Sequence, residues 1–167
     1  RLSLLMPSVA LPIRLFERRK GYSGHSFESI LSGLSVRLEE DKLHNLEEGF
    51  SPPPTSNIST SGQLMKVSFF VFKRGQSEKY KKSEGIIFTV NGQTHGNLNK
   101  TFFSRQDVRM GYLIDSLMII VDCSGIEGRS REDLFMNSRD RLRSGELRTK
   151  IEKELASLVK NHNGLKA

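Results

Sequence analysis

Apolar and polar residues alternate with a period of two in several stretches of this chain, which is the pattern of half-buried β-strands. From Leu11 to Arg18, Leu11, Ile13 and Leu15 alternate with Pro12 and Arg14, and the proline restricts this strand to an edge or to pairing beyond it. Arg1 to Met6 also reads as a strand, because its apolar run breaks at Pro7, too early for a signal sequence. After the Ser/Gly-rich stretch Gly21 to Gly33, the alternation of Leu34, Val36 and Leu38 with Ser35 and Arg37 predicts a further strand. Met65, Val67, Phe69 and Val71 define one face of a longer strand, with Lys66, Ser68, Phe70 and Phe72 on the other. Its expected partner is Gly85 to Val90, which makes residues 73–82 a hairpin tip. Asn91-Gly92 follows, a strong turn signal because both residues tolerate positive φ, and Gln93 to Gly96 begins a return strand. Leu117 to Cys123 is apolar without interruption and rich in Ile, as expected of a central strand buried on both faces.

Three segments carry helical signals. Asn99 to Tyr112 is expected as a helix, although Phe102, Phe103, Val108, Met110 and Leu113 keep poor phase with a 3.6-residue repeat. Ser130 with Asp133 three residues on approximates a capping box and opens a short helix through Met136. From Ser144 and Glu146 a longer helix places Leu147, Ile151, Leu155, Leu158 and Val159 on one face, and Asn163-Gly164 ends it. Residues 45–62 mix acids with Pro52, Pro53 and Pro54 and with Ser, Thr and Asn, a composition expected to form a mobile loop. The order predicts an α+β fold over residues 1–167 as one domain: a mixed four- to five-stranded sheet with helices on one face.

Composition narrows the functional classes. The chain has 167 residues, 36% hydrophobic and 27% charged, which excludes collagen-like and fully disordered classes. Its formal net charge of +7 is concentrated in the middle, where residues 51–100 hold seven basic and two acidic side chains. Lys73, Arg74, Lys79, Lys81 and Lys82 crowd the connection between two apolar runs, so a nucleic-acid phosphate is a candidate partner. Arg139, Arg141 and Arg143 form a second basic group, suited either to clamping phosphates or to a solvated helix end paired with Asp140. One cysteine, Cys123, cannot form an internal disulfide and fits a reducing, cytoplasmic setting as an inert core thiol. Its apolar runs fall far short of a membrane span. An opening Arg in place of Met is consistent with a piece of a longer protein.

Catalytic patterns are scarce. His25, His44, His95 and His162 lack metal-ligand spacing, so no metal site is expected. The glycine-rich stretches match neither the P-loop nor the dinucleotide fingerprint, and the surroundings of Ser124 are not a nucleophile elbow. Asn91-Gly92-Gln93-Thr94-His95-Gly96 is either a plain hairpin turn or a loop whose Asn91, Gln93 and His95 meet a ligand or partner. No catalytic residue is assigned.

Glu84-Gly85-Ile86-Ile87-Phe88-Thr89-Val90-Asn91-Gly92-Gln93 resembles the strand and turn of the transducer domain in MutL- and gyrase-B-like ATPases, of the GHKL superfamily that also holds Hsp90, histidine kinases and MORC proteins. The apolar strand Leu117 to Cys123, its polar loop and Glu132-Asp133-Leu134-Phe135 are similar to the MORC arrangement. The resemblance covers residues 64–167 and implies the fold of ribosomal protein S5 domain 2. It implies no activity for this segment alone, with ATP and Mg bound by an N-terminal ATPase domain of the same parent chain. DNA and a second copy of the parent are the further partners it implies. The family's loop after the last strand carries a basic residue that reaches the γ-phosphate; here the loop Ser124 to Ser130 offers Arg129, with Arg131 or Lys100 as substitutes. Neither the ATP-binding Glu-x-x-x-Asn helix nor the Asp-x-Gly-x-Gly lid motif occurs in the chain. A stand-alone basic nucleic-acid-binding module is the alternative.

Overall fold

The computed structural model describes Pro7, residues 13–16, 28–31, Arg37, 44–136 and 141–166. The strand expected at Arg1 to Met6 and the basic residue Arg139 lie outside the described residues. Strands β1 (Ile13–Phe16) and β2 (Glu28–Leu31) pair antiparallel as a separate two-stranded sheet. The second strand thus falls inside the Ser/Gly-rich stretch; of the alternation at 34–38 only Arg37 is described, and its backbone is helical.

Five more strands make the main sheet: β3 (Thr55–Thr60), β4 (Gln63–Val71), β5 (Glu84–Val90), β6 (Gln93–Asn99) and β7 (Leu117–Asp122). Their order is β3-β4-β7-β5-β6, with every pairing antiparallel except β5 with β7. The chain is α+β, and this sheet is mixed. The uninterrupted apolar run of β7 places it in the centre, where it is paired on both edges and buried on both faces.

Three expectations need correction. First, β4 and β5 do not form a hairpin, because β7 lies between them. Phe72 turns away to bridge Leu46, and the connection passes through a short 3-10 turn, Ser77–Lys79, before β5 begins. Second, much of the stretch expected as a loop at 45–62 is regular: it holds the 3-10 turn Glu48–Phe50 and all of β3. An edge strand needs only one buried row, so Ile58 and Thr60 suffice to seat β3, and Ser61 and Gly62 turn it into β4 with φ of 52° and 75°. Third, Asn99 to Tyr112 forms no α-helix. It forms two 3-10 turns, Lys100–Ser104 and Gly111–Leu113, and buries Phe102 and Phe103 in the first and Val108 and Met110 in the irregular segment between them.

Helices α1 (Gly128–Leu134), α2 (Glu146–Asn161) and α3 (Asn163–Lys166) all bury apolar residues on the same face of the sheet. Ile151, Leu155, Ala156 and Val159 of α2 join Met65, Val67 and Phe69 of β4 and Leu117, Ile119 and Val121 of β7 in one core. Helix α1 starts two residues before Ser130, so that serine lies within its first turn and does not cap it. On the opposite face a smaller core gathers Leu46, Phe70, Phe72, Tyr80, Ile87 and Met118. Its limits follow the alternation of β4, where Phe70 and Phe72 are buried while Lys66 is exposed.

Candidate functional site

Because β5 and β7 run parallel, their C-terminal ends emerge together, with Thr89 opposite Asp122. Beyond them the Asn91-Gly92 turn takes φ of 50° and 75°, as its sequence requires, and leads into β6. The Asn91 N–H donates to Ser124 Oγ at 2.8 Å. Ser124 in turn donates its own N–H, at 3.0 Å, and its hydroxyl to Asp122 Oδ1. Ile126 is fully buried, and its N–H reaches the Cys123 carbonyl at 3.0 Å. The loop is therefore fixed at its root. Beyond it the Glu127 N–H donates to Gln63 Oε1 at 3.4 Å, and Arg129 is exposed in the first turn of α1, with Arg131 half-buried behind it.

The other candidates nearby divide between packed and exposed side chains. The His95 ring packs edge-on against Phe135 at 5.4 Å, below the point where the α1–α2 connection crosses Gly96 of β6. Asn91 and Gln93 are exposed on either side of the turn. Cys123 is fully buried, and burial, helped by Asp122, pushes its thiol up to about 12, so it carries no thiolate at neutral pH. Arg141 and Arg143 are exposed beside the β6 edge, where the Arg143 N–H bonds the Leu134 carbonyl.

At the other end of the sheet, where β5 and β7 begin, lies a cleft of about 380 Å³ lined by Ser77, Glu78, Lys81, Lys82, Lys100 and Asp115. Lys81 is only 3% exposed, which corrects its placement on a solvated basic tip. Its ammonium donates to the carbonyls of Leu117 at 2.6 Å and Ile114 at 3.1 Å, tying the β4–β5 connection to the entry of β7. Burial, and then the neighbouring charge of Lys100, lower its pKa to about 8. Lys100 opens the first 3-10 turn and pairs with Asp115, whose carboxyl is held below the usual range by that contact. Lys73, Arg74, Lys79 and Lys82 are exposed on the same connection.

The two ends divide residues that the sequence had offered for one role. Lys100 sits beside Ser83, at the start of β5, while Arg129 and Arg131 lie past its finish, so the length of a seven-residue strand, about 20 Å, separates them. Conversely, Lys100 joins Lys81 and Lys82, which sequence reasoning had assigned to a different site.

No protein-family model and no curated protein matches the chain. Among solved structures it is similar to the B-subunit of the DNA gyrase from Myxococcus xanthus. The match has 12% sequence identity and a TM-score of 0.44, and it covers 95% of this chain and 46% of that one. This chain thus spans about half the length of the gyrase subunit. Asp115, Ser77 and Ser124 were not singled out from sequence as site residues. Short polar residues in connections carry no periodic signal, and only the tertiary fold brings Asp115 to Lys100 and Ser124 to Asn91.

Proposed function

We propose that this chain is the transducer-like region of a GHKL-type ATPase, relaying the nucleotide state of an ATP-binding domain to a DNA-handling or partner-binding region. The observation that carries the reading is the bond from the Asn91 N–H to Ser124 Oγ. It joins the turn and the loop that the sequence resemblance selects separately, so a force on one reaches the other and the parallel strands behind both. Arg129, exposed where that loop enters α1, is the residue to meet a γ-phosphate, with Arg131 behind it. ATP would supply the negative charge that draws the loop over. Lys100 is not suited to this role, being at the far end of the sheet from that loop.

In the full-length protein, Arg129→Ala removes one charge-assisted contact and is expected to lower ATP turnover roughly 10- to 100-fold, with the thermal melt unchanged. Normal turnover in both Arg129→Ala and Arg131→Ala overturns the coupling role. A second reading, a nucleic-acid surface, is favoured by the exposure of Lys73, Arg74, Lys79 and Lys82 along one connection. It requires binding that weakens steeply with salt and is abolished by charge reversal at Lys79 and Lys82.

A further inference from the structure

The cleft at the start of β5 and β7 is built differently from a patch of surface lysines. Lys81 is fixed in its wall by two backbone carbonyls, which use two of its three N–H donors. Its position is set by the fold, so a ligand meeting it would not need to order a flexible side chain. Lys82 extends from the next position of the chain, and its ammonium makes no ion pair among the described residues. Lys100 reaches in from the 3-10 turn after β6. Its present partner, Asp115, is 73% exposed, and an exposed ion pair contributes little, so Lys100 can exchange that carboxylate for a ligand. Ser77 adds a hydroxyl to the lining.

Three lysines from two separate segments therefore line a cavity of about 380 Å³, large enough for a tetrahedral oxyanion and its near hydration. We infer that this cleft binds a phosphate-class oxyanion between Lys81, Lys82 and Lys100. The carboxylates close to Lys81 are Asp115 and Glu84, both of which favour its charged form, and Glu78 lies at the cleft as well. Lys100 opposes that charge, and a bound anion relieves the repulsion between the two ammonium groups.

The test uses the whole chain and sulfate, which stays a dianion between pH 7 and 9, followed by titration calorimetry and by the side-chain NMR signals of lysine. Sulfate is expected to bind, to move the Lys81 and Lys100 signals, and to bind more weakly as pH rises through about 8, where Lys81 loses its proton. Lys82→Met and Lys100→Met, neither of which removes a buried group, should each weaken sulfate at least fivefold. Displacement by pyrophosphate alone assigns the site to a free phosphorylated ligand, and displacement by a short oligonucleotide assigns it to a nucleic-acid backbone; either upholds the site. Absence of binding at about 10 mM salt, roughly 15-fold below physiological, or affinity in both variants equal to that of the native sequence, overturns it. None of these outcomes involves Arg129, so they are independent of the coupling role.

Discussion

His162 caps the C-terminal end of α2 with its ring against Phe69 at 4.7 Å and Phe50 at 6.0 Å, and its buried Nδ1 has no hydrogen-bond partner. Burial lowers its pKa below 6.5, so the folded state holds the neutral ring while the unfolded chain takes the proton first. Stability is therefore complete above 6.5 and falls as pH drops below it. Thermal melts at pH 7.5 and pH 5 should show a loss in the native sequence that is smaller in His162→Leu; equal losses would mean that this ring does not report the pH. Lys81 works in the opposite pH range. Its folded pKa of about 8 lies below 10.5, so burying the charged form costs stability below 8 and the cost fades as pH rises toward 10.5. Allowing for screening by solvent at the cleft, that cost is about 2 kcal/mol. Urea unfolding at pH 7.5 and pH 10 should show stability gained from this group in the native sequence and not in Lys81→Met. The variant should also be less stable overall by about 1–3 kcal/mol, because the Leu117 and Ile114 carbonyls lose their donor.

Among the described glycines, Gly85 makes the tightest approach between elements, where β5 meets the segment after β6. A Cβ built on Gly85 would stand 2.6 Å from Lys100 Cα and 2.9 Å from its N, and backbone cannot yield as a side-chain tip can. Gly85→Ala is expected to cost about 2–3 kcal/mol in denaturant unfolding, against a change within about 0.5 kcal/mol for Gly49→Ala, whose Cβ meets nothing within 4 Å. Similar losses for the two would show that β5 is not held so closely. The elements that sequence predicted well carry a strong signal of their own: periodic burial in β4 and α2, an uninterrupted apolar run in β7, and the Asn-Gly pair at the turn. Where burial is one-sided or irregular the pattern fades. Strand β3 shows a single buried aliphatic, Ile58, among Ser, Thr and Asn, and reads as a loop. The 3-10 turn Lys100–Ser104 buries Phe102 and Phe103 as neighbours, which no helical or strand period would place together on one face. The β4–β5 hairpin was misread because alternation fixes which face a side chain takes and is silent on which strand lies beside it.

For the whole molecule, the β5–β7 pair is the axis on which both sites turn, with the Arg129 loop past one end and the lysine cleft at the other. That arrangement was beyond reach of the sequence, since Lys100 and Arg129 were interchangeable candidates until strand direction separated them. Among the described residues no helix is long and apolar enough to cross a membrane. A load-sharing root built from Asn91, Ser124 and Asp122 gives the coupling role its physical content, for it predicts that a nucleotide acting on the loop also acts on the turn. The most direct measurement is amide hydrogen exchange in the full-length protein with and without a non-hydrolysable ATP analogue. Exchange should slow at the Asn91 amide together with residues 124–128 when the analogue binds. Exchange unchanged at both, with the analogue bound, contradicts the coupling role.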